Sequence, residues 1–238
     1  GIDAAHKATL LASIAFGVPV QFDGAFIEGI SKLAAEDFTY ADQLGYRIKL
    51  LGIARRRAEG IELRVHPTLI PARRLLANVE GAMNAVWVKG DAVGETLYYG
   101  PGAGKLPTAS AVVADLIDIS RLITADTENR VPHLAFQPSQ VQAQNFVGMD
   151  DITSSYYLRV QAKDEPGTLG QIAALLAKEN VSIEALIQKG VIDQTTAEIV
   201  ILTHSTVEKN VKRAIAAIEA LSCVEKPITM IRMESLHD

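Results

Sequence analysis

Apolar side chains occur on every side of a helical wheel drawn over the first sixteen residues. Ala4, Ala5, Ala8, Leu10, Leu11, Ala12, Ile14, Ala15 and Phe16 leave few polar positions, and Gly17 followed by Pro19 is a usual stop signal. The pattern predicts a helix over Asp3 to Phe16, and a helix apolar nearly all round is expected to be buried. Asp3 and Lys7 lie four residues apart in it and so share a face. Two readings stand side by side. One is a solvated ion pair on a surface helix. The other is a buried carboxylate and ammonium that need each other, or a polar ligand, to offset desolvation.

Beyond the helix the period changes. Glu36 to Gly45 reads as a short helix, Arg47 to Arg55 as a strand, and Ile61-Glu-Leu-Arg-Val65 alternates strictly, as a half-buried strand does. With Ala58-Glu59-Gly60 between them, the two strands predict an antiparallel hairpin. Arg55-Arg56-Arg57 reads as the solvated end of the first strand, and His66-Pro67 as a structural turn at the end of the second. A short helix is expected over Ala72 to Leu76. Ala82 to Lys89 and Glu95 to Tyr99 read as two more strands around the turn signal Gly90-Asp91. A helix over Pro107 to Ile123 is expected to bury Val112, Val113, Leu116, Ile119 and Ile123, leaving Asp115 and Asp118 in solvent. Periodicity fades from Val131 to Met149, as in a linker.

The last part repeats a different rhythm. Tyr156 to Val160 is a strand, Asp164-Glu-Pro-Gly167 a turn, and Leu169, Ile172, Leu175 and Leu176 line a helix. Val181 to Gln188 and Ala197 to Thr203 are strands joined through Gln194-Thr195. Ser205-x-x-Glu208 predicts a capping box for a helix with Val211, Ile215 and Ile218 inward, and Pro227 to Met233 is a final strand. The order βαββαβ is ferredoxin-like. The fold class expected is therefore α+β: a mainly antiparallel sheet with helices on one face, then a ferredoxin-like unit. The boundaries are 1–135, a linker over 136–152, and 153–238.

Composition narrows the function. A formal net charge of -5 and the absence of a basic stripe interleaved with aromatics exclude ordinary nucleic-acid binding. No apolar run reaches membrane-spanning length, and no signal peptide is present. The only cysteine, Cys223, has no partner for an internal disulfide and suits a reducing cytoplasm. Asp115 and Asp118 lack further ligands, so no metal site is expected. The loop Gly100-Pro-Gly-Ala-Gly104-Lys105 sits between a strand and a helix, as a phosphate cradle does. Leu106 after the lysine and Tyr99 in place of the first glycine break the Walker pattern, and Lys105 occupies the third glycine of the dinucleotide fingerprint. By itself the loop reads as a structural turn.

Gly1-x-Asp3-x-x-x-Lys7 resembles the end of the homoserine dehydrogenase signature. The resemblance continues through Gly100-Pro-Gly-Ala-Gly104, Pro107-Thr-Ala-Ser110 and Val112-Val-Ala-Asp-Leu116. The C-terminal part resembles an ACT regulatory domain, on Asp164-x-x-Gly167 and Asn180-Val-Ser182. The resemblance implies interconversion of L-aspartate semialdehyde and L-homoserine with NADP or NAD, bound mainly by an N-terminal dinucleotide-binding half that this chain lacks. It implies that Lys7 binds the substrate oxygen and assists its proton transfer, while Asp3 accepts a hydrogen bond from the substrate and holds Lys7. Whether Lys7 is the base or only orients substrate stays open, because a further lysine of the family belongs to the absent half. NAD or NADP preference stays open too.

The resemblance also places Gly102, Gly104 and Thr108 near the nicotinamide end of the cofactor. Asp164, Gly167 and Asn180 become effector contacts, with L-threonine as the expected effector; the blander reading keeps Gly167 as an obligatory turn glycine with no ligand. A homodimer through the first sheet, raised to a homotetramer by ACT pairing, is expected in the cytoplasm. The chain opens inside the motif, as a fragment or processed product does, and by itself is expected to be inactive. The rival readings are a stand-alone amino-acid-sensing module and a dimerisation scaffold without a ligand.

Overall fold

The computed structural model describes residues 1–124, 136–189 and 195–236. The start of the expected linker, 131–135, and Gln194 lie outside them. Helix α1 (Ile2–Phe16) ends on Gly17 in the left-handed region (φ 66°), whose N–H donates to Ser13 O. Strand β1 (Phe26–Ile27), helix α2 (Ala35–Gln43) and the hairpin β2 (Tyr46–Arg57)–β3 (Gly60–Pro71) follow. The hairpin pairs in one unbroken register from Tyr46↔Pro71 to Arg57↔Gly60. A 3-10 turn at Leu75–Asn78 stands where the short helix was expected, one turn later in the chain.

Strands β4 (Met83–Gly90) and β5 (Gly94–Pro101) pair antiparallel, as their spacing predicts. They form a separate two-stranded ribbon rather than part of the main sheet. Helix α3 (Lys105–Thr124) leaves that ribbon and has no buried residue among those described. Val112, Val113, Leu116, Ile119 and Ile123, expected to face a core, are all exposed. The apolar stripe exists; what would cover it is not in this chain's described part.

The C-terminal unit is β6 (Thr153–Lys163), α4 (Thr168–Lys178), β7 (Ile183–Lys189), β8 (Thr196–Thr203), a short β9 (Thr206–Val207), α5 (Glu208–Glu219) and β10 (Val224–Met233). Apart from the short β9, this is the expected βαββαβ order. The two parts do not hang on a tether. A single sheet runs β1-β3-β10-β6-β8-β7, with β2 on the other side of β3, and β10 joins β3 in parallel at Arg232↔Thr68 and Met233↔Leu69.

Alternation along the strands sorts the side chains into two layers. Tyr156, Leu158, Val160, Ile199 and Ile201 pack under α4 and α5, while Tyr157, Val200, Leu202, Ile231 and Met233 meet α2 through Tyr40 and Ala41. On the α2 side of β3, Ile61, Leu63 and Val65 pack on α1. Its opposite positions carry Glu62, Arg64, His66 and Thr68, and these are buried as well. The whole of β3 is thus enclosed, and the alternation that suggested a half-solvated strand marks instead one apolar and one ionic buried face.

Candidate active site

Helix α1 turns its smallest residues inward. Ala5, Ala8 and Ala12 are buried against the β2–β3 hairpin, and Gly52 of β2 permits the approach, since a Cβ there would lie 2.9 Å from that of Ala8. The larger Leu10, Leu11 and Ile14 face outward together with Asp3 and Lys7. Small side chains let a helix sit close to a sheet, so the alanine stripe and not the bulkier one faces the hairpin. The Asp3–Lys7 pair is accordingly exposed, not buried as the apolar wheel predicts. Lys7 Nζ donates to Asp3 Oδ2 at 2.8 Å, with the two side chains 61% and 85% accessible. The hydrogen bond from Lys7 and its charge hold the Asp3 carboxyl below the usual range.

One stripe of α1 thus presents an ion pair at its first turn and an apolar patch beyond it. Asp3 stands in the first turn, where the helix dipole favours a negative charge. His6, between the pair, stacks on Phe22 with centroids 4.2 Å apart. A carboxylate and an ammonium side by side on an open helix end can bind a zwitterion or a hydroxyl and its carbonyl counterpart, with Lys7 as donor.

The glycine loop has its own structural reasons. A Cβ at Gly102 would fall 1.1 Å from Asn84 Nδ2, and the Gly102 N–H donates to Ala82 O at 2.9 Å, closing the ribbon. Gly104 has φ 126°, and its carbonyl accepts the Thr108 N–H at the start of α3. Among the described residues no hydrogen bond joins Gly102, Gly104 or Thr108 to Asp3 or Lys7. In the C-terminal unit, Gly167 (φ 97°) is the N-cap of α4 and Asn180 (φ 58°) follows that helix in the same left-handed region. Asp164 donates its N–H to Thr195 O and accepts from Gln188 Nε2 at 3.1 Å. Asp164 and Gly167 therefore frame the β6–α4 turn, with β7 reaching it through Gln188.

Three ionic clusters were not legible beforehand. Asp37 of α2, fully buried, accepts from Arg159 Nε (2.6 Å), the Tyr157 hydroxyl (3.1 Å) and the Ala34 N–H (2.9 Å). Arg159 also donates to Glu198 at 2.9 Å, and the Tyr40 hydroxyl donates to the same carboxylate. Burial, then the bond to Glu198, pushes the Tyr40 phenol up to about 12. On the other face Arg64 donates to Glu62 (2.7 Å), Glu234 and His66 Nε2, both at 2.5 Å. Arg55, expected in solvent, is three-quarters buried and reaches Glu234 at 2.7 Å. Burial raises Glu62, but Arg64 and the hydrogen bonds from Arg64 and Arg57 outweigh it and leave the carboxyl below its usual range. His66 lies mid-strand, not in a turn, and burial followed by Arg64 and Arg232 holds it well below its ordinary value.

The third cluster is built on Glu208, paired with Arg232. Glu208 is the first residue of α5, not the third, and Val207 is the cap, so no capping box forms. Its carboxylate is buried on Arg232 instead. Cys223 packs on the C-terminal core as a free thiol, as expected. Among the described residues no group of three His, Cys, Asp or Glu side chains is placed to hold a metal, and no helix is long and apolar enough to cross a membrane.

Comparison with known proteins bears on this arrangement. The sequence model of the family described as homoserine dehydrogenase matches residues 1–117, and that of the ACT domain matches residues 156–223. The chain is 76% identical over 238 residues to a homoserine dehydrogenase of Neisseria gonorrhoeae, and 57% identical to one of Pseudomonas aeruginosa. All of this chain is covered in each case, against 55% of each relative. A solved homoserine dehydrogenase from Thiobacillus denitrificans superposes with a TM-score of 0.92 at 60% identity, over 100% of this chain and 54% of that one. The chain spans about half the length of the curated relatives it matches.

Proposed function

We propose that this chain, which belongs to the homoserine dehydrogenase family through residues 1–117 and carries an ACT domain over residues 156–223, is the substrate-binding and regulatory part of a longer NAD(P)-dependent oxidoreductase. The reaction is the interconversion of L-aspartate semialdehyde and L-homoserine. The observation that carries the reading is the Asp3–Lys7 pair, held 2.8 Å apart on the open first turn of α1. Lys7 donates to the substrate oxygen and eases its proton transfer; Asp3 keeps Lys7 in place and accepts from the substrate. NADP or NAD supplies the hydride acceptor and is held mainly by sequence outside this chain, with Gly102, Gly104 and Thr108 as its contacts here.

The unburied helix α3 supports a longer protein. Most helical stability in proteins comes from packing an apolar face, and this twenty-residue helix buries no side chain among the described residues. The remaining length seen in the relatives supplies the surface that covers it, and covers the Leu10–Leu11–Ile14 patch beside Lys7. The same coverage favours an enzyme part over a stand-alone sensor. We place the substrate region at 1–135, the linker at 136–152 and the regulatory unit at 153–238. Effector binding falls on Asp164, Gly167 and Asn180, with L-threonine as effector, and the protein acts in the cytoplasm. The outer edge of β2, which has no strand partner among the described residues, suits a homodimer, and ACT pairing a tetramer.

The test is L-homoserine oxidation by the full-length protein with NAD and NADP, comparing wild type with Lys7→Ala. The expected result is activity that falls by about 10²-fold or more in a folded variant. An unchanged rate would return Asp3 and Lys7 to an ordinary surface ion pair. Residues 1–238 alone are expected to show no turnover.

A further inference from the structure

Strand β1 is two residues long and lies between the C-terminal unit and the start of α1. On one face Arg232 of β10 holds its guanidinium 5.0 Å over the Phe26 ring and donates Nη1 to Glu28 at 2.8 Å. On the other face α1 begins: a Cβ at Gly1 would stand 3.1 Å from Ile27 Cγ2 and 3.3 Å from the Glu28 carbonyl oxygen. The backbone bond from Ala5 N–H to Gly1 O starts from that contact. The strand is held to β3 by two register pairs and by the Glu28 N–H on Val65 O. A segment with so few bonds moves at low cost.

Arg232 is fixed from the regulatory side. Its Nε and Nη2 fork onto the carboxylate of Glu208 at 2.6 and 2.7 Å, with both side chains almost wholly buried. Glu208 opens α5, and its N–H donates to Ile152 O at the entry to β6. Arg232 stands opposite Thr68, where β10 joins β3. A planar fork on a buried carboxylate fixes the orientation of both side chains as well as pairing their charges. Replacing such a cluster by apolar residues is often neutral for stability, so stability alone does not account for it.

We infer that Arg232 and Glu28 are positioning residues that pass the state of the ACT unit, through β1, to the first turn of α1 and so to Asp3 and Lys7. This rests on the reading of that turn as the substrate end. It makes effector binding and homoserine binding reciprocal, as any coupling between two sites must be.

The experiment uses the full-length protein, wild type and two variants. Glu28→Ala cuts the link but leaves the Arg232–Glu208 fork, and Arg232→Met removes the fork with an apolar side chain of similar length. Glu198→Gln, which weakens a buried ion pair remote from β1, is the control. Amide hydrogen exchange at Ala5 and the KM for L-homoserine are measured with and without L-threonine. Both variants are expected to exchange at Ala5 about three- to tenfold faster, with a KM raised by a similar factor, while the protection of β6 is kept. The control is expected to leave Ala5 unchanged. Wild-type exchange at Ala5 in folded Glu28→Ala would overturn the coupling. Faster exchange in a protein that does not oxidise homoserine would support the coupling and overturn the site reading instead. In the active enzyme, an L-threonine effect on KM that shrinks in Glu28→Ala supports the inference, and one that persists overturns it.

Discussion

Asp37 ties α2 to the regulatory strands, and its removal should be costly. In Asp37→Ala the Arg159 guanidinium, 11% accessible, keeps only Glu198 of its two carboxylates. The Tyr157 hydroxyl and the Ala34 N–H at the start of α2 lose their acceptor at the same time. Breaking a buried ion pair from one side costs about 3–5 kcal/mol, a large fraction of a typical total of about 5–15 kcal/mol. Asp37→Asn retains an oxygen for the Ala34 N–H but loses the charge and turns an NH2 toward Arg159 Nε, so it spares only that one hydrogen bond and should cost about 1 kcal/mol less than Asp37→Ala. Urea unfolding of residues 1–238 followed by circular dichroism reads the difference. With m near ~3 kcal/mol/M, a loss of about 4 kcal/mol moves the midpoint by about 1.3 M. Trp87, the only tryptophan, sits in the β4–β5 ribbon and would report a region this change does not touch. A loss below about 1 kcal/mol in Asp37→Ala would refute the claim that this cluster joins the two parts.

His66 supplies a pH prediction. Its folded pKa is depressed below the ordinary 6.5, so the unfolded chain binds the extra proton as pH falls through that value. Stability present above pH 6.5 is lost below it, with a slope of up to about 1.4 kcal/mol per pH unit, and His66→Gln should remove that part of the slope in urea midpoints at pH 7.5 and 5.5. An identical slope in the variant would show that carboxylates alone set it. Gly102→Ala should destabilise the ribbon, because the new Cβ meets Asn84, and Asn84→Ala should recover part of the loss in thermal unfolding read by Trp87. Failure of that rescue, with activity lost in Gly102→Ala, would assign the glycine to the cofactor and not to the turn.

What could be read from the chain alone were features with a short-range cause. The βαββαβ order follows from the switch of hydrophobic period between Tyr156 and Met233, and the β2–β3 hairpin from alternation around Gly60. The end of α1 follows from a glycine that adopts φ 66° without strain. The Asp3–Lys7 adjacency needs only helical spacing. Period, however, does not say what lies on the far side of an element. Helix α1 is apolar all round, and only the approach permitted by Gly52 decides that its alanines, not its leucines, face the sheet. Helix α3 carries a core-like stripe that no described residue buries. Glu62, Arg64 and His66 occupy positions that a two-layer reading assigns to solvent. They are buried because β10 brings Glu234 and Arg232 alongside β3 from more than 160 residues away in the chain. Glu208 has the spacing of a cap and the environment of an ion-pair partner. Those assignments depend on which distant charge fills the space above a strand, and tertiary packing alone sets that.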